Sequence, residues 1–282
     1  MKTIVSLTTI HSRLFIVKYT LDSLLGQDYK PDLIVFNISH DPYLLDKGIG
    51  EIPDWLRDKR FEDIQVNWVP NDGPYRKLLP VIPLATDEDL IVTADDDQIY
   101  APNWLSGLVA EARVNPNSII CGRARRPSKN IFGRYQSYDN WPLVVSSCTS
   151  IDLLPTGNCG IVYRKNLLDL DFIFDEKYRN LAPTTDDLWF REASYRLGVK
   201  VTVVSGVANS QASIEAPQGG ALSDQNTSFR VLQKAKGILK LASRVLRILK
   251  AYLGITLNKN DEAFKKIKGY SDSGKIKSVL EN

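Results

Sequence analysis

Short apolar runs alternate with stretches of helical spacing through the first hundred residues. Thr3 to Leu7, Leu33 to Ile38, Ile64 to Val69 and Leu90 to Ala94 are dense in Ile, Val, Leu and Phe. That length and composition belong to strands covered on both faces. Leu14, Val17, Leu21, Leu24 and Leu25 recur at helical spacing, which predicts a helix over 14–25. Leu78 to Leu84 is apolar but holds two prolines, so any helix there is short. Helices are expected over Asn103 to Val114, with Pro-Asn-Trp as a capped start, and over Asp186 to Leu197. A late strand is expected over Val199 to Val204. Residues 121–160 have weak periodicity and read as loops and short strands walling a substrate site. Strands alternating with helices imply an α/β fold with a mostly parallel, Rossmann-like sheet flanked by helices.

The last sixty residues change character. Arg230, Lys234, Lys236, Lys240, Arg244, Arg247 and Lys250 occur with no acid between them, while Val231, Leu232, Ile238, Leu239, Val245, Leu246, Leu249 and Leu253 share one broad helical face. The division expected is a main domain over 1–222 and a basic amphipathic helical tail over 223–282. Such a helix, over 230–253, can lie in an anionic membrane surface. Its apolar face can equally pack on the main domain.

Composition narrows the classes. With 282 residues and 43% hydrophobic content, the chain can bury a full core. A net charge of +3 gives no basis for a nucleic-acid partner. Cys121, Cys148 and Cys159 form no CxxC pair and no even set, so they read as reduced cysteines. No signal-type segment or run of about 18 apolar residues occurs. A cytoplasmic protein is expected, peripheral on the inner membrane face if the tail binds lipid.

Candidate chemistry centres on Asp95-Asp96-Asp97, at the carboxyl end of the fourth strand. Open α/β sheets bind ligands at that edge. Three adjacent like charges call for a cation, and hard oxygen ligands suit Mn²⁺ or Mg²⁺. Four further segments stand out: Val5 to Arg13, Asp72-Gly73-Pro74-Tyr75-Arg76-Lys77, Gly157-Asn158-Cys159-Gly160, and Thr185-Asp186-Asp187-Leu188-Trp189.

In order and spacing, this set resembles bacterial glycosyltransferases of the GT-A fold, similar to family 2, the inverting enzymes of polysaccharide synthesis. The resemblance spans roughly residues 3 to 205. It implies a nucleotide-diphosphate sugar donor and a glycan or lipid-linked acceptor. It also implies that Asp97, with Asp95, holds the metal and that Asp95 faces the donor. Asp96 belongs to the same donor-binding triplet, although strand alternation turns it the other way.

Thr8 and Arg13 are expected at a base or phosphate, Asn37 at the nucleobase, and Asp72 and Lys77 near the diphosphate. Gly157 and Asn158 are expected along the donor sugar. Plainer readings stand beside these: Arg13 as a surface residue, Arg76 and Lys77 as solvated, the glycine loop as a tight turn. His11 reads as an exposed loop residue and Trp189 as core. Asp186 or Asp187, favouring Asp187, is the expected general base at a helix start that Thr184 or Thr185 can cap. The rivals are a sugar nucleotidyltransferase, which the glycine-free loop after the first strand disfavours, and a non-catalytic glycan- or membrane-binding protein.

Overall fold

A computed structural model describes residues 1–214 and 238–280. Eight strands form the central sheet: β1 (Thr3–Thr8), β2 (Leu33–Ile38), β3 (Ile64–Trp68), β4 (Leu90–Thr93), β5 (Ser118–Cys121), β6 (Cys148–Ser150), β7 (Ile161–Tyr163) and β8 (Lys200–Val203). Their order is β3-β2-β1-β4-β7-β5-β8-β6. The pairs β1–β2, β1–β4, β2–β3 and β5–β8 run parallel. Strand β7 runs antiparallel to both β4 and β5. The sheet is thus mixed and mostly parallel.

Period-2 alternation divides the core into two layers. Ile4, Val35 and Ile91 face one cluster, while Val5, Leu7, Phe36 and Val92 face the other. Both faces of β1, β2 and β4 are covered, which is why their sequences are continuously apolar. Helices α1 (Leu14–Leu25) and α2 (Trp104–Val114) supply one cover, with Val17, Leu21, Leu105 and Leu108 in that cluster. On the other side lie α5 (Asp186–Arg196) and the one-turn helices α3 (Leu170–Ile173) and α4 (Tyr178–Leu181). Trp189, fully buried there, donates from Nε1 to the Ile173 carbonyl at 3.2 Å.

The chain runs outward from β1 through β2 to β3, then returns to place β4 on the other side of β1. The loops leaving β1 and β4 therefore diverge and open a crevice at their carboxyl ends, the place where such sheets take ligands.

Some elements match the sequence reading and others depart from it. The segment Leu79–Leu84 is a 3-10 helix, as short as expected, and β6 is one of the short strands expected over 121–160, whereas β5 is a central strand that the sequence reading does not predict. Asn103 caps α2 without a side-chain hydrogen bond, and so does Thr185 at α5. Their carboxamide and hydroxyl are not the caps that the sequence predicts. In the tail, α6 (Ile238–Tyr252) falls within the expected amphipathic helix, whose residues 230–237 lie outside the described part. A further helix, α7 (Lys259–Leu280), sets Ala263 and Ile267 into the same core cluster as α5.

Candidate active site

A cavity of about 580 Å³ opens at the crevice. Thr8, Thr9 and Arg13 reach it from the loop after β1, and Asp95, Asp96 and Asp97 from the loop after β4. Arg76 and Lys77 come from the turn before Leu78, Gly157 and Asn158 from the turn before β7, and Asp186 and Asp187 from the start of α5. Sheet topology thus collects segments nearly 180 residues apart in sequence.

The three carboxylates have different surroundings. Asp96 is buried, taking Thr9 Oγ1 at 2.5 Å and Arg13 Nη1 at 2.6 Å, while its carbonyl accepts from Thr20. Burial pushes its pKa up to about 6, partly offset by the Arg13 guanidinium. Asp96 is the anchor of the β1 loop. Arg13 also reaches Asp97, Nη2 to Oδ2 at 3.3 Å, and is therefore not a free surface residue. Burial alone would lower the Arg13 pKa; Asp96 and Asp97 outweigh it and hold it raised.

Lys77 lies between two acids, Nζ at 2.9 Å from Asp186 Oδ2 and 3.3 Å from Asp95 Oδ1. Burial works against its charge, but Asp186, Asp95 and Asp187 together push its pKa well above the ordinary lysine value. Arg76 is 1% exposed and pairs with Asp46 at 3.0 Å. Neither residue is the solvated one of the plainer sequence reading. The rigid Pro74 opens the 3-10 turn Gly73–Lys77 that carries both inward.

Asp187 differs from its neighbour. Its Oδ2 accepts the Gly157 amide at 3.0 Å, and its Oδ1 is buried without a hydrogen-bond partner. Burial raises its pKa to about 7; Lys77 pulls the value down and Asp186 pushes it up. Gly157 sits where these groups meet. A Cβ built there would stand 2.9 Å from Lys77 Nζ, 3.3 Å from Asp95 Oδ1 and 3.4 Å from Asp187 Oδ1. Gly160 has another role: at φ +84° it packs against the Trp104 ring, where a Cβ would come within 2.4 Å.

Two expected ligand contacts lie elsewhere. Asn37 is fully buried, donating to Ser6 Oγ at 2.9 Å and accepting from Asn67 at 2.9 Å, and it does not line the cavity. Asp72 is outside it too, its carboxylate 2.7 Å from Arg179. Sequence reasoning passed over Arg123, Arg125 and Tyr138, which line the cavity from the strand Ala124–Arg125 and its surroundings. The signal was a pair of arginines two residues apart, on one side of an extended segment.

Mn²⁺ and Mg²⁺ take hard oxygen ligands. Asp95 and Asp97 offer hard oxygens with side chains 29% and 26% exposed. Among the described residues no group of three His, Cys, Asp or Glu stands ready as a full cage. Arg13 and Lys77 already supply positive charge beside the triplet.

Comparison with known proteins bears on this arrangement. Among solved structures, S. aureus TarS aligns with a TM-score of 0.50 at 16% identity, over 90% of this chain and 43% of that one. TarS 1-349 aligns with a TM-score of 0.48 at 19% identity, over 73% of this chain and 58% of that one. The chain therefore spans less than half the length of the first of these and little more than half of the second. Francisella tularensis 2-C-methyl-D-erythritol 4-phosphate cytidylyltransferase aligns with a TM-score of 0.45 at 14% identity, over 77% of this chain and 95% of that one. No curated protein matches in sequence. The model of the family described as "Glycosyl transferase family 2" matches residues 13–169, more than half of the chain and the stretch from Arg13 past the Gly157 turn. With its GT-A-type sheet and this match, the chain belongs to glycosyl transferase family 2.

Proposed function

We propose that the protein transfers a sugar, with inversion, from a nucleotide-diphosphate donor to a hydroxyl of a glycan or lipid-linked acceptor in surface polysaccharide synthesis. The observation that carries this reading is the Asp187 carboxylate. It is fixed by the Gly157 amide, raised to a pKa of about 7, and left with one buried unpartnered oxygen in the cavity. A general base needs that combination of position and pKa.

In the reaction, the acceptor oxygen attacks the anomeric carbon as Asp187 takes its proton. The bond from that carbon to the diphosphate breaks, and the electron pair leaves with the phosphate oxygen. Lys77 and Arg13 bring positive charge to this side of the cavity, where the leaving group gains negative charge. Asp97 and Asp95 would hold Mn²⁺ or Mg²⁺, which would neutralise further charge on the diphosphate. Asp186, engaged by Lys77, keeps that ammonium in place.

The exposed face of α6 supports a membrane-surface setting for the acceptor. Val245, Leu246, Ile248 and Leu249 are about half exposed, while Ala251 and the Arg247–Asp139 pair at 2.8 Å tie the helix to the domain. Exposed apolar side chains flanked by Arg244 and Lys250 suit the surface of an anionic membrane. No helix among the described residues is long and apolar enough to cross one.

The test is a transfer assay with a panel of nucleotide sugars and cell-envelope glycan, reading the product's anomeric configuration by NMR. The reading expects an inverted linkage. A retained configuration, or no transfer from any donor, contradicts it.

A further inference from the structure

The charges lining the cavity do not all cancel. Arg13 pairs with Asp96 and Asp97, Arg76 with Asp46, and Lys77 with Asp95 and Asp186. Arg123 and Arg125 line the same cavity, and among the described residues neither has an acidic partner within ion-pair distance. Both are nonetheless aimed. Arg123 Nε donates to Thr156 Oγ1 at 2.9 Å; Arg125 Nη1 donates to the Trp141 carbonyl at 2.9 Å, its guanidinium 4.7 Å from the Tyr138 ring centroid. These hydrogen-bond partners are uncharged, so they orient the two cations without neutralising them. Ala124 between them is fully buried, which turns both arginines to the opposite side of the segment.

They enter the cavity from a different segment than the acidic triplet and Arg13. Arg123 is held by Thr156, whose neighbour Gly157 positions Asp187. Arg13, Asp96 and Asp97 form a different wall, on the loops after β1 and β4. A molecule presenting a hydroxyl to Asp187 thus meets two oriented, uncompensated guanidiniums nearby. Planar forks of N–H donors match phosphate and carboxylate oxygens.

We propose that Arg123 and Arg125 form an anion subsite for the acceptor, binding a phosphate or carboxylate carried beside the hydroxyl that Asp187 deprotonates. The assignment to the acceptor rests on the transferase reading above. It makes the acceptor an acidic or phosphate-bearing glycan rather than a neutral one. The donor's own diphosphate is the other possible source of the same chemistry, and the experiment separates the two.

Full-length protein is titrated with glucose 6-phosphate and with glucose, with and without saturating nucleoside diphosphate. The same is done for Arg123→Gln, Arg125→Gln and the corresponding lysine variants, with thermal melts as a check on folding. The expected result is binding of the phosphorylated sugar at least about tenfold tighter than glucose while nucleotide is bound. The preference should weaken with salt, disappear in the glutamine variants and persist in part with lysine, at unchanged nucleotide affinity. Equal binding of the two sugars overturns the proposal. So does a preference that survives in both glutamine variants, or displacement of the phosphorylated sugar by nucleotide, which would give these arginines to the donor. A phosphate preference in a protein that binds no nucleotide would keep the anion subsite and remove the donor reading instead.

Discussion

Lys77 Nζ stands 2.9 Å from Asp186 Oδ2, and that contact separates the roles of two carboxylates adjacent in sequence. Asp186 is engaged by the ammonium, whereas Asp187 rests on the Gly157 amide with one oxygen unpartnered. Removing Lys77 leaves buried acids uncompensated. Lys77→Ala should therefore lower stability by about 3–5 kcal/mol near neutral pH. The cost should shrink at pH 5, where protonation relieves the repulsion that the missing ammonium no longer offsets. Denaturant unfolding at both pH values measures this, and an equal cost at both would count against it.

The raised pKa of Asp187 sets a pH dependence. A base works deprotonated, so with a pKa of about 7 the transfer rate at low acceptor concentration should climb through neutrality and level off above it. The rise follows the ionised fraction of one group. A flat profile between pH 5.5 and 8.5 would remove Asp187 as the base.

Gly157→Ala separates crowding from backbone strain. The new methyl group would sit 2.9 Å from Lys77 Nζ and within 3.4 Å of both Asp95 and Asp187. Lys77 would have to swing away, so activity should fall by about tenfold or more, the scale of a misplaced catalytic group. The melting temperature should fall as well, by less than in Lys77→Ala, because the displaced ammonium is still present near the acids. Unchanged activity would show that these groups do not act together.

Liposome flotation tests the membrane contact, and the architecture dictates the variant. Deleting 230–282 would strip Ala263 and Ile267 from the core and confound the result. Leu246→Glu with Leu249→Glu changes only exposed side chains. That double variant should lose binding to anionic vesicles at unchanged melting temperature; full retention would contradict the membrane role of α6.

Local pattern carried much of the fold. The limits of α1 and β2 follow from apolar spacing alone, whereas the order that sets β4 beside β1 does not. The spacing of Ala263, Ile267 and Tyr270 in α7 was equally legible but diluted by a charged surround. What sequence hides is long-range pairing. Arg76 is buried because Asp46, thirty residues earlier, meets it, and the acidic triplet finds much of its counter-charge in Arg13 and Lys77. Likewise nothing in Asp186-Asp187 as written distinguishes a lysine partner from a glycine amide.

The most direct test is calorimetric titration with UDP, GDP, CDP and dTDP, each with and without Mn²⁺, on wild type, Asp97→Ala and Asp187→Asn. The account predicts that one nucleotide binds with the metal, that Asp97→Ala abolishes this binding, and that Asp187→Asn retains it while losing about 10²–10⁴-fold in transfer. If no nucleotide binds wild-type protein under any condition, the cavity is not a donor site and the roles assigned to its carboxylates fall with it.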